Sequence, residues 1–126
     1  QLNTVPKGYR HSIFWNVAHT VVTQQLLVYG LSNHPLLVDS DLVKTYKKAT
    51  KTVHESTEEA LALVKTLLFS TIEQTKTDYD NGMFKNFTPY TTSLNVTLST
   101  VDEAIRFNTF HEGIHLGYIL AMKNTL

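Results

Sequence analysis

The sequence predicts an all-α protein, an up-and-down four-helix bundle in which this chain supplies three long helices and one short one. Two observations carry that reading. Three segments of more than twenty residues repeat apolar side chains at helical spacing. Each is also bounded by residues that start or stop helices. Antiparallel bundles are the commonest way to bury three such faces. One further long helix is expected, either preceding Gln1 or supplied by a partner chain.

Gln1 to Tyr9, with Pro6 and Gly8, reads as a lead-in loop. The first long helix runs from Arg10 to about Gly30. Ile13, Val17, Val21 and Val28 form one stripe on it, and Trp15, His19, Val22, Leu26 and Tyr29 form a second. A helix apolar on so much of its girth belongs at the centre. Gly30 and then Asn33-His34-Pro35 end it. Asp39 to Ala49 predicts a short helix with Leu42, Val43 and Tyr46, and Thr50 to His54 a polar connection. Ser56-Thr-Glu-Glu59 has the form of a capping box. It opens a helix that carries Leu61, Val64, Leu68 and Ile72 to about Thr77. Asp80-Asn81-Gly82 is a turn. Met83 to Leu98, rich in threonine and holding Pro89, predicts a long loop or a short extended excursion. Ser99 or Thr100 caps the last helix, with Asp102 and Glu103 suited to its dipole, and that helix runs to about Lys123-Asn124.

The 126 residues form one domain of ordinary size, 42% apolar and 17% charged. Eleven basic residues balance eleven acidic ones. Nucleic-acid binders carry a basic excess, so the balance argues against such a partner. Apolar runs are too short to span a membrane, and no signal sequence opens the chain. Asn86-Phe-Thr88 and Asn95-Val-Thr97 match the glycosylation pattern by chance on that view. The absence of cysteine excludes disulfides and thiolate ligands and fits the reducing cytoplasm. Any metal must then sit on imidazole and oxygen.

Six histidines remain to be placed. His111 and His115 stand four apart and share a helix face with Ala104, Asn108, Tyr118 and Met122. That face points inward, where an imidazole needs a partner, and one ion serves two imidazoles at once. A third ligand is wanted, with one position left for water or substrate. His19 fits best, because it lies mid-helix on the Trp15, Val22, Leu26 stripe. His11 shares that side but sits near the helix start. His34 and His54 read as solvated surface residues. Asn108 and Tyr118 are candidate supporting groups, Asn108 to orient a ligand or substrate and Tyr118 to donate a hydrogen bond at the mouth. Glu112 is rotated about 100° from His111 on an ideal helix, which argues against its being a general base.

The segment Ser12-Ile-Phe-Trp15-Asn-Val-Ala-His19, with His111-Glu-Gly-Ile-His115-Leu-Gly117 downstream, resembles the DinB-like superfamily. Thr45-Tyr46-Lys-Lys-Ala-Thr50 and the stretch from Tyr90 to Leu98 resemble its connectors. The resemblance implies a four-helix bundle and a metal centre at His19, His111 and His115. It also implies a homodimer. The family's first helix has no counterpart in this sequence.

One divalent ion is therefore expected, zinc or nickel before iron or manganese. Three neutral imidazoles leave its charge uncompensated, so water at the open position would be acidified. The resemblance implies a metal-dependent hydrolase or a thiol-dependent transferase acting on a small molecule. The alternative is a non-catalytic metal-binding protein with a stress or sensing role.

Overall fold

The computed structural model describes residues 1–52 and 55–126. Helix α1 spans Ile13–Gln25 and passes directly into a π-helical turn, Leu26–Gly30. It begins three residues later than expected because Ser12, not Arg10, is the competent cap: its hydroxyl accepts from the Trp15 backbone N–H at 3.1 Å. Helix α2 covers Ser40–Tyr46 and α3 covers Glu58–Asp80. The cap of α3 is Thr57, which accepts from the Ala60 N–H at 3.1 Å. The expected capping serine, Ser56, is instead held by Asn3, whose Oδ1 accepts from both its backbone N–H and its hydroxyl. A minimal antiparallel pair follows, β1 Tyr90–Thr91 against β2 Thr97–Leu98. Thus the extended excursion exists, and it is short. Helix α4 spans Val101–Lys123. Thr100 caps it by accepting from the Glu103 N–H, while the Glu103 carboxylate accepts from the Ser99 N–H at 2.6 Å.

The chain is an all-α bundle, and α1 is its centre. Almost every residue of α1 is buried, as its double stripe predicts. The helix directions follow from its contacts. Phe14 and Ala18 pack on Val64 early in α3, and Tyr29 meets Asp78 near the end of α3, so α1 and α3 run parallel. A parallel pair needs a crossover, which residues 31–57 supply with α2 on board. Leu27 packs against Ala104 at the start of α4, and Asn16 meets His115 further along it, so α4 runs the opposite way. Among the described residues α3 and α4 do not pack on one another. The Tyr79 hydroxyl donates to Asp102 at 2.5 Å and ties their ends together.

The inward face of α3 differs from its apolar stripe. Val64 is buried, but Ile72 is 47% exposed, and Thr71, Thr75 and Asp78 are buried instead. The reason lies on α1 and the π-helical turn that follows it, which present Gln24 and Tyr29 there. Gln24 Nε2 donates to Thr75 Oγ1 at 2.9 Å and the Tyr29 hydroxyl donates to Asp78. Polar groups turn inward where each finds a partner. Among the described residues no helix is long and apolar enough to cross a membrane.

Candidate metal centre

His19 lies mid-way along α1, and His111 and His115 lie one turn apart on α4, which crosses it. One ligating nitrogen from each falls within 4.8 Å of the other two. His19 is buried and the α4 pair are half-buried.

The hydrogen bonds fix which nitrogens are available. His19 Nδ1 is 2.6 Å from the Tyr46 carbonyl oxygen. A carbonyl only accepts, so Nδ1 carries the proton and Nε2 keeps its lone pair. The Thr23 hydroxyl, one turn on, lies 3.3 Å from that Nε2. His115 Nδ1 is 2.7 Å from Asn16 Oδ1. The amide of Asn16 is oriented by its other end, where Nδ2 donates to the Ser12 carbonyl at 2.8 Å. Its Oδ1 must therefore accept, and His115 too is left with a bare Nε2. His111 Nε2 stands 3.1 Å from that atom.

These residues fit a divalent ion. Metal–nitrogen bonds of about 2.0–2.1 Å put two ligands about 2.9 Å apart at a right angle and about 3.4 Å apart at the tetrahedral angle. The observed 3.1 Å lies between these values. Two of the three imidazoles already give their outer nitrogen to an oxygen acceptor, the usual arrangement behind a metal-ligating histidine. Buried His111 Nδ1 has no partner among the described residues.

Protonation is also suppressed. Burial lowers the His19 pKa, against the opposing pull of the Tyr46 carbonyl. Burial, then the neighbouring His19, brings His111 down to about 4. Burial, then His111 and His19, brings His115 down to about 3. Neutral imidazoles at neutral pH are what metal ligation requires.

The triad lies on the wall of a cavity of about 660 Å³. The π-helical turn contributes Leu26, Leu27 and Gly30 to that cavity, and α4 contributes Phe107 and Ile114. Widened turns of this kind are often found beside functional sites. On the other side, His115 and Asn16 border a second recess of about 340 Å³ with Arg10 and Tyr118.

The remaining candidates are placed as follows. Tyr118 is 52% exposed, at the mouth of that second recess, with its ring 6.2 Å from that of His115. Asn108 is buried, and its Nδ2 donates to Glu112 Oε1 at 3.0 Å. Asn108 and Glu112 line a groove between α3 and α4, and neither bonds to the histidines. His11 stacks on Trp15 at 3.5 Å, and Trp15 stacks on His19 at 4.5 Å. His34 is not the solvated residue expected: it is half-buried, and its Nε2 bonds to the Met83 carbonyl at 2.8 Å. His54 lies outside the described residues.

The supporting groups that do touch the triad are Asn16, Thr23 and the Tyr46 carbonyl. A signal for Asn16 was available, namely an amide inside an otherwise apolar central helix, which must have partners. Thr23 stands four after His19 and so shares its face.

A sequence model described as the DinB superfamily matches residues 1–119. No curated protein and no solved structure matches the chain.

Proposed function

The chain belongs to the DinB superfamily, and on that premise we propose that it is a metal-dependent enzyme acting on a small molecule, with His19, His111 and His115 holding one divalent ion. The observation that supports this is the convergence of three ligating nitrogens on the wall of a cavity of about 660 Å³. Among the described residues no carboxylate or fourth histidine joins the group. A structural zinc site is normally closed by a fourth protein ligand, whereas a catalytic one keeps a position open. The cavity is within the size range that takes small molecules.

An ion so held supplies Lewis-acid chemistry, lowering the pKa of water or of a thiol in the open position. That serves a hydrolase or a thiol-dependent transferase. Imidazole ligands suit zinc or nickel. The chain's own part is to hold the ring orientations through Asn16 and the Tyr46 carbonyl and to shield the site with apolar walls.

The test has two stages. Metal content is measured on the purified protein and on His19→Ala, His111→Ala and His115→Ala, each checked for folding by circular dichroism. Loss of metal by all three supports the ligand set, and full occupancy in folded variants overturns it. The metallated protein is then screened against thiol-transfer, ester and amide substrates. Turnover that disappears with chelator supports an enzyme, and no turnover in the screen favours a binding or sensing role.

A further inference from the structure

The cavity beside the triad has an electrostatic character that the histidines do not explain. Among the described residues not one aspartate or glutamate lines it, although the chain has eleven acidic residues. Among the described residues its only lysine or arginine is Lys48. Among the described residues Lys48 makes no ion pair; the one such pair is Lys76 with Asp80. The remaining walls are largely apolar, with Leu26, Leu31, Leu94, Phe107 and Ile114 facing the space.

Lys48 is held at the cavity by a turn anchored on both sides. The residue two before it, Tyr46, accepts on its carbonyl from His19 Nδ1–H. The residue two after it, Thr50, accepts from the Trp15 indole N–H at 3.1 Å. Between these anchors Ala49 adopts φ 69°, in the left-handed region. A non-glycine residue there costs about 1–2 kcal/mol and persists only where its surroundings impose it. The turn is thus clamped against the side chains that carry the centre, and it sets a lysine at the cavity's edge.

We propose that this cavity binds an apolar-bodied small molecule bearing one carboxylate, with the carboxylate paired to Lys48 and the body lying against the leucines, Phe107 and Ile114. A single ammonium is a point charge that matches a monoanion, whereas a dianionic phosphate is normally gathered by several donors. The absence of acidic groups from the lining leaves the anion unopposed. This inference names the substrate class of the site proposed above and rests on that reading only for the reaction, not for the binding.

The test is calorimetric titration of the zinc-saturated protein with octanoate, 1-octanol and octylammonium. Octanoate is expected to bind about two- to fivefold more tightly than octanol, the scale of an ion pair to an exposed ammonium. Octylammonium is expected to bind most weakly. Lys48→Gln is expected to remove most of the advantage of octanoate while leaving the affinity for octanol unchanged, and Lys48→Glu to reverse the order of octanoate and octylammonium. Lys48 is exposed, so both variants should fold. Equal affinities for octanoate and octanol overturn the proposal. So does a preference that survives Lys48→Gln, since the carboxylate is then read by another group. Metal analysis of the same Lys48 variants separates the two readings: retained zinc with lost selectivity leaves the metal centre standing, and histidine variants that keep their metal overturn the centre whatever octanoate does.

Discussion

Asn16 Oδ1 accepts from His115 Nδ1 at 2.7 Å, across 99 residues of sequence. This bond turns the imidazole so that Nε2 faces His111 and His19. Among the described residues it is also the one side-chain bond to an Nδ1 of the three rings, since His19 Nδ1 leans on a backbone carbonyl and His111 Nδ1 has no partner. Removing such a support typically weakens metal binding about 10–100-fold. Asn16→Ala is therefore expected to lose about that much zinc affinity in competition with a chromophoric chelator. Asn16→Asp keeps an acceptor toward His115 while losing the donor to Ser12, and it should retain most of the affinity. If both variants weaken alike, the Ser12 bond and not the histidine bond is what matters.

The acid behaviour of the metal-free protein follows from the same cluster. His111 and His115 have pKa values of about 4 and about 3 in the fold, below the ordinary 6.5. Above pH 6.5 both folded and unfolded states are neutral there, and these groups add no pH dependence. Below it the unfolded chain takes up protons first, so stability is lost as pH falls from about 6.5, more gently below about 4 where His111 is protonated in the fold, and levels below about 3 where His115 follows. Urea midpoints measured across that range should drop, and the drop should be shallower in a His111→Gln/His115→Gln double variant. A parallel slope in the double variant would place the acid sensitivity elsewhere.

What could be read from the sequence was what is local. The i, i+4 pair His111 and His115, the Thr100 cap and the apolar girth of α1 depend on residues within one or two turns, and each is found. His19 needed one further step, the joining of two helix faces, and that step also holds. The features that escaped reading depend on distant partners. Ser56 looks like a cap until Asn3, 53 residues away, engages it. The inward face of α3 looks apolar until Gln24 of α1 and Tyr29 of the π-helical turn supply hydrogen bonds for Thr75 and Asp78. The parallel course of α1 and α3 is likewise set by pairing, because periodicity reports a face and not a direction. At the centre itself the rings were legible, and the atoms that orient them were not.

Tyr29 offers a test of that polar seam. Its ring is fully buried in the π-helical turn, edge-on to Phe84 at 5.1 Å, and its hydroxyl donates to Asp78. Burial and then the Asp78 bond push its pKa up to about 12. Tyr29→Phe keeps the ring packing and deletes the donor. Asp78 retains Gln74, whose Nε2 donates at 2.9 Å. The expected loss is about 1.5–3 kcal/mol of unfolding free energy, the scale of a hydrogen bond to a charged group. A change under about 0.5 kcal/mol, the size of an ordinary surface substitution, would mean that water replaces the hydroxyl.

The chain's single tryptophan reports directly on the centre. Trp15 stacks on His19 with ring centroids 4.5 Å apart and planes 13° from parallel. An open-shell ion on His19 Nε2 is then nearly in contact with the indole through the imidazole, and it offers an efficient route for quenching. Closed-shell zinc offers none. Nickel or copper added to the metal-free protein should quench tryptophan emission saturably, at one ion per chain. Zinc should leave most of the emission and should block the quenching when added first. In His19→Ala the ion loses its ligand on α1, and the saturable phase should vanish while collisional quenching by free ions remains. Saturable quenching that persists in a folded His19→Ala variant would mean that the ion is held on α4 alone, by His111 and His115, and that His19 is a packed neighbour and not a ligand.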